Sequence, residues 1–205
     1  MADAVISMVD VDRRVQILEC ACRVIARDGA DGLRMAAVAR EAGVSSALLH
    51  YYFATRDDLV RLAFEYHDTR ETTRTQERLI EIADPIARVR DVLARELSDD
   101  PAIEEGWRLW MEAERRALIR EDFRASVLDR AARWVELVAD LVAGAQEAGR
   151  VDPDIDARSA GLRLTCVVDT LGVHTTLGMV SRADALIELD ASLRDILHLG
   201  ARWQR

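Results

Sequence analysis

Between Ser45 and Arg56 the chain reads SSALLHYYFATR, a run suited to recognising a polyanion rather than to covalent chemistry. Ser46 and His50 can hydrogen-bond to base edges, and Ala47 or Leu48 can pack against a thymine methyl. Arg56 carries a planar fork that donates two parallel hydrogen bonds to a phosphate. Ser46, Ala47, Leu48, His50 and Tyr51 are left facing outward once Leu49 is buried. Patterns for catalysis are missing from the sequence, which has no phosphate-binding loop, dinucleotide glycine pattern or nucleophile elbow. His50, His67, His174 and His198 show no pairing with cysteine or acid at metal-ligand spacing, and the neighbours His67 and Asp68 support no catalytic role. The expectation is therefore no cofactor, no metal and no enzyme activity.

These residues need a scaffold, and the preceding ones supply it. Val38, Ala39 and Ala42 share one face of a short helix over Met35 to Ala42. Gly43 offers the left-handed backbone that ends a helix without a Cβ clash. Val44 plugs the corner, and Ser45 can cap the next helix by accepting a backbone N–H bond from its first turn. That helix, about Ser46 to Tyr52, is anchored by Leu49 and ends in Tyr51-Tyr52-Phe53. Helix, glycine turn and helix in this order form a helix-turn-helix, whose second helix enters the major groove of DNA.

Over about residues 12 to 60 the chain resembles the TetR family of transcriptional regulators. The resemblance is carried by Gln16-Ile17-Leu18, Ala21, Gly29, Val38-Ala39, Ala42-Gly43-Val44-Ser45, Leu49, Tyr52-Phe53, Arg56 and Leu59. It implies a DNA-binding set of Arg34, Ser45, Ser46, Ala47, Leu48, His50, Tyr51, Tyr52 and Arg56. Within it, positions 46, 47, 48 and 50 face bases or sugars, while Tyr52 and Arg56 touch phosphates. For Tyr52 and Phe53 packing in the local core is the competing role. Arg34 departs from the family, which usually has Thr or Ser there; either Asp31 caps the helix instead or Arg34 reaches a phosphate. The resemblance also implies a palindromic double-stranded operator read by a homodimer, because two recognition helices must meet half-sites about one DNA turn apart.

Two further patterns lie downstream. Trp107, Trp110, Met111 and Glu114 recur at helical spacing, and Phe64, Trp134, Cys166, Asp169, Thr170 and His174 could line the same space. Apolar walls with a few polar groups describe a pocket for a small-molecule effector, against the alternative of ordinary core. The last helix carries Leu186, Leu189, Leu193, Ile196 and Leu197, and the one before it has the small-residue stripe Gly161, Thr165, Val168, Gly172 and Thr176. The pair, at 157–178 and 183–202, suits a four-helix dimer seam, with intramolecular core as the alternative.

Composition agrees with an all-α fold of about nine helices. Only three prolines and ten glycines interrupt 205 residues, half of them hydrophobic. Helices are predicted at 12–27, 35–42, 46–52, 55–82, 86–98, 101–118, 121–148, 157–178 and 183–202, with residues 1–11 as a frayed arm. A DNA-binding domain over 1–54 and a ligand-binding and dimerisation domain over 55–205 follow. The net charge of −9 is uneven, since residues 1–60 hold seven arginines against nine acids and 42–56 hold no acid. Phosphate affinity depends on local charge, so the acidic whole disfavours loose coating of nucleic acid but permits a small specific footprint. All 28 basic residues are arginine. Met1 to Met8 lacks the pattern of a signal peptide, and the least polar window, 161–180, contains Arg163, Asp169 and His174, against a membrane span. Cys20, Cys22 and Cys166 lack disulfide spacing and read as buried thiols of a reduced cytoplasmic protein. The function this supports is a sequence-specific repressor released from its operator by a small molecule. A ligand-independent regulator, an activator, or an all-α enzyme or adaptor using the helix-turn-helix as scaffold are the alternatives.

Overall fold

The computed structural model describes residues 8–200. Among them the chain forms nine helices and no strand: α1 (Met8–Asp28), α2 (Met35–Glu41), α3 (Ser46–Tyr52), α4 (Arg56–Ile80), α5 (Pro85–Arg95), α6 (Pro101–Ala117), α7 (Glu121–Glu147), α8 (Ala157–Thr176) and α9 (Arg182–Ile196). Ser45, Thr55, Asp84, Asp100, Asp156 and Ser181 each accept a backbone N–H bond from the first turn of the helix that follows. These bonds satisfy donors that a helix start otherwise leaves bare. Pro85 and Pro101 come directly after their caps, where a missing N–H costs nothing.

Two ends differ from the sequence pattern. α1 starts at Met8, so the last part of the expected arm, Met8 to Val11, is helical; residues 1–7 lie outside the described residues. α9 stops at Ile196, and His198 takes a left-handed φ of 51°, which a continuing helix cannot accommodate. The expected extension to Arg202 ends in residues outside the described range.

The buried residues form two clusters. The first gathers Ile17, Ala21 and Val24 of α1, Val38 and Ala39 of α2, Leu49, Phe53, and Leu59 and Ala63 of α4. It is closed from the other side by Leu109 of α6 and Phe123 of α7, so the small N-terminal head completes its core on the body. The second cluster fills the space between α5 to α9, with Val89, Leu93, Val138, Val142, Leu164, Val168, Leu189 and Leu193 at its centre.

That second cluster corrects the expected dimer stripe. Leu189, Leu193 and Leu197 are fully buried within the chain, Ile196 nearly so, and Thr165 and Val168 face the same interior. Gly161 lies so close to α7 that a Cβ there would come within 2.9 Å of the Ala139 backbone nitrogen. A stripe at helical spacing reports that a face is covered, and here the chain's own helices cover it. On α8, α9 and the segment between them, the large apolar side chains left exposed are Leu162, Leu177, Met179 and Ile187.

Asp31 does not cap α2. Its carboxylate instead accepts from Arg115 and Arg116 of α6, and Arg34 takes the cap position with no side-chain bond. The Arg116 guanidinium, with only 4% of its side chain exposed, also donates to Glu112 and lies 5.4 Å from the centre of the Phe123 ring. Nearby Arg120 donates to Asp57 in the first turn of α4 and holds that carboxyl below its usual range. A buried cation on α6 is thus satisfied by a loop of the head. Replacing Arg116 with alanine should lower the unfolding free energy by about 1–3 kcal/mol, since Glu112 loses a buried partner and Phe123 its cover. Arg115→Ala, at an exposed pair with the same acids, should cost under about 1 kcal/mol in the same urea titration.

Candidate nucleic-acid interface and effector cavity

The helix-turn-helix is built around a few fixed contacts. Gly43 takes φ 64°, the left-handed turn between α2 and α3. The side-chain amide of Gln16 on α1 donates to the Ala42 carbonyl at 3.0 Å and pins that turn. The Ser45 hydroxyl accepts from the Leu48 N–H at 3.1 Å, and Leu49 is wholly buried. With Leu49 inside, Ser46, Ala47, His50 and Tyr51 are exposed and Leu48 half-exposed, as its position on a seven-residue helix requires. The Tyr51 ring is 78% exposed and meets Tyr52 edge-on at 5.2 Å.

The two aromatic residues with competing roles separate. Phe53 is core, beneath the Arg14 guanidinium at 5.7 Å. Tyr52 is half-buried and its hydroxyl donates to Asp10 at 2.8 Å, tying α3 to α1 and raising the phenol's pKa. Arg34 and Arg56 are exposed beside α3; Arg56 donates to the Asp31 carbonyl at 3.2 Å and lies 3.5 Å from Asp57. Asp10 and Gln16 hold the recognition helix to α1 over long sequence separations, which no local pattern reveals.

The aromatic residues of α6 meet other helices in the body. Trp107, Trp110, Trp134 and Asp169 line one small cavity together with His67, Asp68, Glu71, Glu96 and Arg130. Phe64 stacks on Trp110 at 6.0 Å from behind. Trp107 donates its indole N–H to the Glu96 carbonyl at 2.7 Å. The Trp107 ring packs directly against Gly172, where a Cβ would come within 2.0 Å of it. Arg130 stacks over the Trp110 ring at 4.2 Å and pairs with Asp68 at 3.0 Å.

Burial governs the charges around this space. It raises the Asp169 carboxyl to about 6, opposed by Arg130 and by a hydrogen bond from Trp134 and reinforced by Glu114. Burial likewise raises Glu96 and Glu114. It lowers His67 to about 4, helped by Arg70 and Arg130, so this imidazole is neutral near pH 7. Of the four acids in this lining, Asp68 pairs with Arg130 and Arg133 and Glu71 with Arg70 and Arg74, while Glu96 and Asp169 lie among the indoles. The enclosed volume is about 50 Å³, roughly room for one or two waters.

Several residues expected in this lining lie elsewhere. Cys166, Thr170 and His174 recur every four residues along a face of α8 turned away from Asp169 and Gly172. Cys166 and Thr170 are exposed there, so Cys166 is not the buried thiol it was expected to be, whereas Cys20 and Cys22 are buried. Met111 is half-buried and, like Glu114, stands outside the lining. His67, Asp68, Glu71, Glu96 and Arg130 complete the lining from α4, α7 and the end of α5. A larger open groove of about 1300 Å³ runs between α5 and α9. Its five arginines are already engaged, Arg78 with Asp91, Arg90 with Asp190, Arg95 with Asp100, Arg150 with Asp84 and Arg182 with the Ser98 carbonyl.

A helix-turn-helix head seated on an all-helical body with an enclosed aromatic cavity defines a DNA-binding transcriptional regulator. Residues 17–63 match the model of bacterial regulatory proteins of the tetR family, and residues 85–198 match the BetI-type transcriptional repressor C-terminal domain. The chain belongs to the TetR family of transcriptional regulators, with a BetI-type C-terminal domain. It is similar to the HTH-type transcriptional regulator PksA of Bacillus subtilis, 28% identical over 169 residues, covering 82% of this chain and 80% of that protein. Among solved structures it resembles a TetR-family regulator from Rhodococcus, with TM-score 0.79, 28% identity and coverage of 91% of this chain and 99% of that one. A regulator from Saccharomonospora viridis in complex with choline superposes with TM-score 0.81 at 26% identity, covering 88% of this chain and 95% of that one. Among the described residues no helix is long and apolar enough to cross a membrane.

The Trp107–Gly172 contact is testable. Gly172→Ala should displace the indole, alter the near-UV circular dichroism of the tryptophans and cost about 1–3 kcal/mol in chemical denaturation, as overpacking does.

Proposed function

We propose that this regulator is a cytoplasmic homodimeric repressor, not an enzyme, whose DNA release is triggered by a small organic cation held in the aromatic cavity. The observation that carries this reading is the cavity itself: Trp107, Trp110 and Trp134 beside the buried acids Asp169 and Glu96. Indole faces attract cations and desolvated carboxylates add to that attraction, so a quaternary or tertiary ammonium compound fits better than a neutral or acidic one. Arg130 already rests on Trp110 as a tethered cation, which supports the same preference. The choline complex of the Saccharomonospora viridis relative agrees with it.

The narrowness of the cavity supplies the switch. An ammonium compound of choline size needs more than the present volume, so its binding has to part α4, α6 and α8. α4 runs from the head, at Arg56, to the cavity wall at His67, Asp68 and Glu71. A ligand that binds the parted state better pulls α4, and with it α3, away from the spacing that fits an operator. The division of labour is residues 1–54 for DNA and 55–205 for effector and dimer contact. The dimer forms on the outer faces of α8 and α9, where Leu162, Leu177 and Ile187 are exposed beside a groove lined by Cys166, Val167 and Ser192. In the head, Ser46, Ala47, Leu48, His50 and Tyr51 read the groove, with Ser45 at its edge, and Arg34 and Arg56 hold phosphates. Tyr52 serves chiefly to orient α3 through Asp10.

Two measurements test this. In a gel-shift series with the upstream intergenic DNA, Arg56→Ala should weaken binding to all sequences and flatten the salt dependence by about one unit of slope, while His50→Ala should change sequence preference. Unchanged affinity and salt slope for Arg56→Ala would refute the placement of the motif. Choline, followed by tryptophan fluorescence, should bind roughly tenfold more tightly at pH 7 than at pH 5, because a carboxyl titrating at about 6 is mostly ionised only at the higher pH. Asp169→Asn should abolish that dependence and Trp110→Ala should weaken binding at least tenfold. Equal affinity for a neutral isostere would overturn the cation assignment.

A further inference from the structure

Behind the cavity wall, where α1, α4 and α6 meet, three potential metal ligands converge from distant parts of the sequence. Candidate ligand atoms of Cys22, His67 and Glu105 all lie within 4.8 Å of one another. Cys22 and His67 are buried and Glu105 is half-buried. The Cys22 thiol donates to the Ala63 carbonyl at 3.3 Å, its one recorded bond. The His67 Nδ1 is buried with no hydrogen-bond partner. An unpaired imidazole nitrogen in a core normally costs about 1–3 kcal/mol, so its retention calls for a partner. Gly106 on α6 makes room for the ring, since a Cβ there would stand 2.9 Å from Nε2.

We propose that Cys22, His67 and Glu105 form a binding site for a borderline divalent transition metal such as zinc. One sulfur, one imidazole nitrogen and one carboxylate oxygen are the mixed donors this class of cation takes, with a water or a further ligand in the fourth position. Tetrahedral coordination at bond lengths of about 2.0–2.3 Å brings ligand atoms to about 3.3–3.8 Å of one another, a movement side-chain rotation supplies. On coordination the Cys22 S–H proton passes to solvent and the thiolate binds the cation, so thiolate and carboxylate together balance its two charges. Magnesium and calcium prefer all-oxygen shells and fit poorly. The ligands come from the first helix of the head, the connecting helix α4 and the body helix α6. One bound cation therefore ties together the three elements between which the head is seated, as an input separate from an organic effector.

Cobalt(II) substitution tests the site directly in the full chain after removal of bound metal with a chelator. One equivalent should produce a near-ultraviolet sulfur-to-cobalt charge-transfer band with visible bands of four-coordinate cobalt. Cys22→Ser should lose the charge-transfer band, whereas Cys20→Ser and Cys166→Ser should keep it. His67→Gln and Glu105→Gln should each weaken cobalt at least tenfold. Zinc at a hundredfold excess over its dissociation constant should raise the wild-type melting temperature by about 5–10 °C, and the rise should vanish in Glu105→Gln. A folded wild-type protein without the sulfur band, or a band that survives Cys22→Ser, would overturn the proposal. Should Cys22→Ser fail to fold, Glu105→Gln decides, because its half-exposed carboxyl is not needed for the core; undiminished cobalt affinity there would also overturn it.

Discussion

The seating of the head on the body depends on one buried cation. Arg116 projects from α6 and is almost wholly enclosed, so it must find its anions inside the protein or be expelled. It finds Glu112 on its own helix and Asp31 in the loop between α1 and α2, with Phe123 beneath it. Leu109 and Phe123 finish the apolar core of the head around this contact. The head of a helix-turn-helix protein is small, and a small domain buries too little surface to be stable by itself. Here it borrows core from α6 and α7. Any motion that moves α6 is therefore felt at Asp31 and, through the Arg56 bond to the Asp31 carbonyl, at the edge of the recognition motif.

The cavity sits on the other side of the same helix. Trp107 and Trp110 belong to α6, as do Glu112 and Arg116, so the cavity wall and the head contact are successive turns of one rod. α4 is the second rod, carrying Thr55 and Asp57 at the head and His67 to Glu71 at the cavity. A close-packed interior does not deform gradually; it shifts between alternative packings. The close contact of Trp107 with Gly172 belongs to this packing, which leaves only water-sized space in the cavity. Two helices, α4 and α6, thus connect the cavity lining to the head directly.

Local signals were legible wherever the physics is local. Gly43, Ser45 and Leu49 announce a turn, a cap and an anchor within seven residues, and the structure has each in that role. The cavity was half legible: Trp107, Trp110, Trp134 and Asp169 converge, while Cys166, Thr170 and His174 run along another face of α8. Spacing along a helix groups residues by face but does not say which neighbour that face meets. His67, Glu71, Glu96 and Arg130 were missed because they enter from α4, the end of α5 and α7, none of them the helix that carries the tryptophan stripe.

By itself the sequence determined the nine helices, their order, the recognition helix and its outward residues, because propensity, capping and periodicity act over a few residues. Tertiary structure alone decided that the leucines of α9 face inward, since burial by the chain's own helices and burial by a second copy leave the same stripe. It also decided that Asp31 holds an arginine instead of capping a helix, and that Tyr52 meets Asp10. Cys22, His67 and Glu105 share no spacing at all; packing of α1, α4 and α6 brings them within 4.8 Å. Contacts between residues tens of positions apart arise only when whole helices dock, and the geometry of docking is a property of the assembled core.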